Sequence, residues 1–312
     1  MEQRPELRDI GEKNRGATIR LEFMRHDRRE PSTTENPDES SSLTKLGRRH
    51  TTEVGKTRNP DPQMGFAYGS PRVRAQETAL RQLLANEQWV TDDTTLEEMD
   101  AHIAGELKYG KKLKVTENLN FKGGANEEYA RVFEEHYVNR KDLVPFLYYE
   151  SDRLVEELGD LEDDSYTRLA ANVAELIRRY IGMLPRWMDI YEKNKEKYKE
   201  QNEMQRFLGT HSTIAESFLL KVIEKTEGVD AAKKFIDDLP DKNGIDFSDG
   251  ISVELAGIEA GTQVKVTFHG KTWNITTTII SEIIQDSNDL DKKILDKLGM
   301  DKLREVELDD SR

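Results

Sequence analysis

The chain has 312 residues, of which 35% are hydrophobic and 35% charged, with a formal net charge of −14 and no cysteine. The missing thiols exclude cysteine catalysis, disulfides and Cys-ligated zinc. The acidic balance, unrelieved by any large Lys/Arg cluster, argues against nucleic-acid and anionic-membrane partners.

A mean hydropathy of −0.79 places much of the charge on long solvated helices, yet periodic apolar runs supply a core. The length predicts one main domain enlarged by an insertion or a tail. Residues 1–16 read as a flexible leader: the stretch is charged and lacks an apolar signal core, and no apolar run of the chain approaches membrane-spanning length, so the cytoplasm is the expected compartment.

Ala17 to Met24 predicts a strand, because Ile19, Leu21 and Phe23 alternate with Thr18, Arg20 and Glu22. A loop rich in Pro, Ser, Thr and Asp follows from Arg29 to Ser42, then a helix from Leu43 to Arg58 that stops before Asn59-Pro60. Gly65 to Tyr68 predicts a second strand, and Ser70-Pro71 a helix start with serine as cap. Gln88 to Thr91 reads as a third strand, and from Leu96 to about Gln205 the pattern is mostly helical. Arg206 to Thr210 predicts a strand, and Ser212 caps the helix after it. Ile251 to Leu255, Val264 to Phe268 and Trp273 to Ile275 predict an antiparallel meander.

The expected fold is therefore α/β: a three-layer α/β/α sandwich with a mostly parallel sheet, an antiparallel edge and a helical cap insertion. Its core spans 17–100 and 205–280, its cap 101–204, and a charged helical tail runs over 281–312.

Three places share one local design, a strand, a sharp turn and a helix start carrying cationic or imidazole groups: Arg25-His26, Arg72-Val73-Arg74 and His211-Ser212. In a parallel sheet such strand ends converge on one crevice, where helix N-termini favour an anion. Two arginines and two histidines there suit a phosphoryl group, since arginine offers bidentate donors and a neutral imidazole is a nucleophile.

These residues resemble the histidine phosphatase superfamily, the phosphoglycerate-mutase-like branch. Its opening Arg-His-Gly is matched by Arg25-His26-Asp27, its Leu-Thr-x-x-Gly by Leu43-Thr44-Lys45-Leu46-Gly47, and its Ser-Pro-x-x-Arg-Ala-x-x-Thr-Ala by Ser70 to Ala79; a late strand precedes His211 as it precedes the family's second histidine. The resemblance covers 17–110 and 163–275. It implies a phosphoric monoester hydrolase with His26 as the phosphorylated nucleophile and Arg25, Arg74 and His211 on the phosphate, with Arg72 a further phosphate candidate. It also implies a proton donor in a Leu-x-Glu motif after the third strand. Leu96-Glu97-Glu98 matches, making Glu98 the candidate, with Glu97 and Asp100 as competitors.

No cofactor and no metal are expected, and the partner is a small phosphorylated substrate. Asp27 departs from the family's glycine, and Ser32 stands where mutases of the family carry an asparagine. A phosphomutase and a non-catalytic phosphate-binding or partner-binding protein remain as alternatives. His26-Asp27 also spells the doublet of the metal-dependent HD phosphohydrolases, but those are helical and the doublet here follows a strand pattern. His50, His102, His136 and His269, and the aromatics of the insertion (Phe121, Tyr129, Phe133, Tyr148, Tyr149, Trp187), read as structural.

Overall fold

The computed structural model describes residues 16–34, 37–106, 110–198, 201–258 and 261–299. All but Gly16 of the expected leader, and the tail beyond residue 299, lie outside the described residues. In chain order the elements are β1 (Thr18–Arg25), α1 (Lys45–Thr57), β2 (Gly65–Gly69), α2 (Val73–Leu83), α3 (Leu96–Glu106) and β3 (Leu113–Val115). The insertion continues with α4 (Glu127–Glu134), α5 (Leu143–Phe146), α6 (Asp152–Leu158), α7 (Tyr166–Lys193) and α8 (Lys195–Tyr198). After it come β4 (Glu203–Thr210), α9 (Ile214–Glu227), α10 (Val229–Asp238), β5 (Gly250–Ile258), β6 (Gly261–Phe268), β7 (Lys271–Ile275) and α11 (Thr277–Leu298).

One seven-stranded sheet runs in the order β3-β2-β4-β1-β5-β6-β7. The first four strands are mutually parallel, and β5, β6 and β7 form the antiparallel part. Helices cover both faces, as the two hydrophobic clusters show. Ile19, Leu21 and Phe23 of β1 pack with Ala170, Val173 and Phe218 of α7 and α9, while Met24, Ala67 and Phe207 pack with Ala79, Leu80 and Leu83 of α2. Burying each such large side chain contributes about 2 kcal/mol. The sandwich is thus three-layered.

The polar side of β1 has a specific cover. Glu22 accepts hydrogen bonds from Arg58 Nη1 at 2.8 Å, Arg20 Nη1 at 3.3 Å and Ser252 Oγ at 3.1 Å. A buried carboxylate met by two guanidiniums and a hydroxyl is compatible with a central strand.

The third strand does not form at Gln88–Thr91. That stretch is a turn, with the Arg81 guanidinium donating to the Thr91 carbonyl at 2.9 Å and the Thr91 amide to Thr94 Oγ1 at 2.9 Å. Trp89 and Val90 face the cluster around α2, and the ladder beside β2 is completed by Leu113–Val115. A run of two apolar residues carries no periodicity to separate strand from packed turn. The helix after β2 also begins later than Ser70-Pro71 predicts, at Val73 with Arg72 in the cap position.

In the cap, Asp163 accepts from three successive amides, Gly124 N at 2.7 Å, Ala125 N at 2.8 Å and Asn126 N at 2.9 Å. Asp164 accepts from Lys122 N at 2.6 Å. Trp187 of α7 donates to the Thr18 carbonyl at 3.0 Å, tying the cap's long helix to β1. The C-terminal helix begins at Thr277 and buries Ile280, Ile283, Leu290 and Ile294 on one face. Arg168 of α7 pairs with its Asp291 at 2.8 Å. It is charged outward and part of the core inward.

Candidate active site

The crevice lies at the carboxyl ends of β1, β2 and β4. His26 is the first residue past β1, and its amide donates to the Thr210 carbonyl at 2.9 Å; Ser70 follows β2 and its amide donates to Gly209 O at 3.2 Å. The parallel ladder thereby fixes where Arg25-His26, Ser70 and His211 stand. Gly209 lets α2 close on the sheet: a Cβ there would meet the Ala75 carbonyl oxygen at 2.0 Å. The start of α2, carrying Arg74, is thus pressed against the strand ends.

His26 is half-buried, and both ring nitrogens are engaged. Nδ1 lies 2.7 Å from the Asp27 carbonyl oxygen, which can only accept, so Nδ1 carries the proton. Nε2 is then a lone pair, and it accepts from Arg74 Nε at 3.0 Å. Burial and the Arg74 charge push the imidazole down to about 3. His211, 6% exposed, lies edge-on to His26 with ring centroids 5.2 Å apart. Burial first, then the neighbouring His26 and Arg74, hold it well below the ordinary value. Its Nε2 is hydrogen-bonded to Ser70 Oγ at 2.8 Å, and Ser70 Oγ accepts from Arg72 N at 3.3 Å. Ser70, expected as a helix cap, instead orients His211. Two neutral imidazoles among arginines follow from desolvation.

Arg25 and Arg74 are 8% and 4% exposed. Arg25 donates Nη1 to the Ile245 carbonyl at 2.6 Å and lies over the Phe247 ring at 4.4 Å, while its Nε–H is buried without a hydrogen-bond partner. A buried guanidinium donor with no partner, next in the chain to His26, can serve an anion's oxygen. Ile245 is itself held from behind: its amide donates to Oε1 of the buried Glu216 of α9 at 2.8 Å. Past His211, Thr213 takes φ +79°, left-handed for a β-branched residue, a costly backbone of the kind that clusters at functional sites.

Asp27, the departure from the family pattern, points away from the crevice. Fully buried, it accepts from His50 Nδ1 and Ser248 Oγ, each at 2.6 Å, and from Arg28 N at 2.7 Å. His50 thus serves the carboxylate that anchors the loop carrying His26.

Arg72 reaches the crevice rim, where it pairs with Asp38, and Arg74 shares that partner through Nη2 at 3.0 Å. Glu98 closes a capping box at the start of α3: its carboxylate accepts from Thr95 N at 2.8 Å, and its amide donates to Thr95 Oγ1 at 3.2 Å. Glu97 and Asp100 line a cleft of ≈ 210 Å³ with Gln76 and Lys111. The acid that follows the observed third strand is Glu117. Its segment crosses the crevice end of the sheet, with Thr116 N donating to Gly69 O at 3.0 Å and Thr210 Oγ1 to Leu119 O at 2.8 Å. The signal for it was Leu113-Lys114-Val115 ahead of Thr116-Glu117, hidden by the competing apolar pair Trp89-Val90. Asp38 carried no sequence signal. Among the described residues no three His, Asp or Glu side chains group as metal ligands.

No family model matches the chain, and no curated protein matches its sequence. Among solved structures it is similar to a protein titled mycobacterial hydrolase 2, at 11% identity over 88% of this chain and 99% of that one, TM-score 0.40. It is similar to mycobacterial glucosyl-3-phosphoglycerate phosphatase, at 13% identity over 83% and 100%, TM-score 0.38. A third is phosphoserine phosphatase from Entamoeba histolytica in complex with 3-phosphoglyceric acid, at 15% identity over 84% and 99%, TM-score 0.38.

Proposed function

We propose that the chain is a phosphatase of the histidine phosphatase superfamily, hydrolysing a small phosphomonoester through a phosphohistidine on His26. The observation that carries this reading is the state of His26: proton locked on Nδ1, lone pair on Nε2, and Arg25, Arg74 and His211 gathered around it. In the first step Nε2 attacks phosphorus and the bond to the ester oxygen breaks, with the leaving oxygen taking a proton from a carboxylic acid. Water then attacks the phosphohistidine, the N–P bond breaks, and the water's proton passes to that carboxylate. Arg74 releases Nε2 as it turns its donors onto the phosphoryl oxygens. Arg25 contributes its free Nε–H, and His211 a hydrogen bond, where charge accumulates.

Glu117 is the acid we assign to proton transfer, because it follows the strand that pairs with β2 and its segment abuts Gly69 and Thr210. Glu98 is the competing assignment from the sequence motif. These roles require no metal and no cofactor. The cap, whose Leu119 carbonyl abuts Thr210, limits the substrate to small or extended esters.

The test is acid-quench trapping with a ³²P-labelled monoester in the presence of EDTA. An acid-labile, base-stable label on His26 is expected, absent in His26→Ala, whose turnover of para-nitrophenyl phosphate should fall by at least about 10³-fold. Turnover that EDTA abolishes, with no label on His26, would falsify the mechanism.

A further inference from the structure

The loop between β1 and α1 carries an anion into the crevice. Its base is closed by a bridge between Arg29 and Leu43, by Glu30 N donating to Ser42 O at 2.8 Å, and by Ser41 Oγ donating to Glu30 O at 2.5 Å. From that base the segment around Asp38 bends over the start of α2. There the Glu39 carbonyl accepts from Val73 N at 3.0 Å, taking up one of the helix's free amides.

Asp38 meets three guanidiniums. Its carboxylate accepts from Arg74 Nη2 at 3.0 Å, lies 3.2 Å from Arg29 Nη2, and bonds Arg72 Nη1; its own carbonyl accepts from Arg74 Nη1 at 2.5 Å. Arg74 holds His26 Nε2 with its remaining nitrogen. One side chain thus connects the nucleophile to a carboxylate borne on a surface loop. Burial works against the charge of Asp38, but the Arg74 hydrogen bond and the charges of Arg74, Arg72 and Arg29 outweigh it and hold the carboxyl below its usual range.

We propose that Asp38 is an internal stand-in for the substrate's phosphate, a carboxylate that occupies the donors of Arg72 and Arg74 and must leave them for substrate to bind. This rests on the phosphate-binding roles assigned above and adds a regulatory contact to them. Asp38 takes two of the three Arg74 nitrogens, Nη2 through its carboxylate and Nη1 through its backbone carbonyl. A dianionic phosphoryl group on the same donors would face Asp38 at contact distance, and like charges repel. The loop base is fixed by backbone bonds, so opening leaves β1 and α1 in place and breaks the Asp38 side-chain pairs together with the Arg74 bond to the Asp38 carbonyl and the Val73 N bond to the Glu39 carbonyl. Substrate affinity is then divided by the fraction of molecules whose loop is open.

The experiment compares wild type, Asp38→Asn and Asp38→Ala for inorganic phosphate affinity by calorimetry and for para-nitrophenyl phosphate kinetics. Removing the competing charge should tighten phosphate binding roughly tenfold, the change expected if the open state is about a tenth of the population, and lower KM in parallel with kcat little changed. Unchanged or weaker phosphate binding with turnover retained overturns the stand-in and leaves the phosphatase reading intact. Tighter phosphate binding with no turnover in any of the three proteins supports the stand-in and removes the phosphatase reading. Phosphate binding by none of them removes both. A loss of kcat restricted to esters with poor leaving groups, with phosphate affinity unchanged, overturns the stand-in by making Asp38 the proton donor.

Discussion

The crevice and the Asp163–Asp164 corner of the cap are two buried titratable clusters on which the same force acts with opposite results. In the crevice, burial drives His26 down to about 3 and His211 well below its ordinary value. In the cap, burial drives Asp164 up to about 7, against the Lys122 amide and the Arg168 charge that pull it down. Desolvation always disfavours the charged form, so bases are pushed down and acids up. What differs is the compensation. The cap carboxyls Asp163 and Asp164 are answered mainly by backbone amides, which hold a loop in place. The crevice keeps two guanidiniums whose charge is only partly answered, by Asp38 and by backbone carbonyls, and one buried donor that is not answered at all. The crevice differs in setting its donors beside two neutral imidazoles, an arrangement that suits an anion.

The largest break in that comparison comes from Arg74. It touches both His26 Nε2 and Asp38. Arg74→Ala should lower kcat/KM on para-nitrophenyl phosphate by about 10²–10³-fold. Arg74→Lys should restore little of it, because a point charge cannot serve Nε2 and an oxygen at once. Full recovery by lysine would mean that charge alone matters.

A smaller effect separates the two candidate acids. Glu117→Gln should slow phenyl phosphate, a poor leaving group, by about 10²-fold while sparing para-nitrophenyl phosphate. Glu98→Gln keeps a side-chain acceptor in the capping box and should leave the ratio of the two substrates unchanged. The reverse pattern would return proton transfer to Glu98.

The smallest expected effect is one of stability and pH. For Asp164 the folded value, about 7, lies above the unfolded value of 3.8. Protonation therefore favours the fold, and stability is lost as pH rises from about 4 to 7. Between pH 5 and 7 the loss should be about 2–3 kcal/mol, read as a falling urea midpoint that Asp164→Asn flattens. His26 runs the other way: its folded value lies below the unfolded 6.5, so its contribution is lost as pH falls below 6.5. Because the imidazole stays neutral down to about 3, protonation of His26 should impose no acid limb on kcat/KM between pH 5 and 7. A shift of the His26 imidazole NMR signals with a midpoint near 6.5 would contradict the desolvated site.

Much of this was legible from residue order alone. Alternation marked β1 and the β5–β7 meander to within a few residues, because successive side chains of a strand point to opposite faces of the sheet. The motifs around His26, Arg74 and His211 placed three strand ends together, since parallel strands point their carboxyl ends the same way. Tertiary structure decided what periodicity cannot see. Trp89-Val90 and Leu113-Lys114-Val115 are both short enough to be strand or turn, and only the vacancy beside β2 chose the second. That choice moved the acid after the third strand from Glu98 to Glu117. Asp27 and Asp38 stand one and twelve residues past the same histidine and are chemically identical. One is fully buried under His50 and Ser248, and the other is folded back onto Arg72 and Arg74. A carboxylate's role depends on which donors reach it, and besides local ones from Arg28 and Arg29 the deciding donors come from residues 23 and 221 positions away from Asp27 and 34 and 36 positions away from Asp38, a separation that no local pattern encodes.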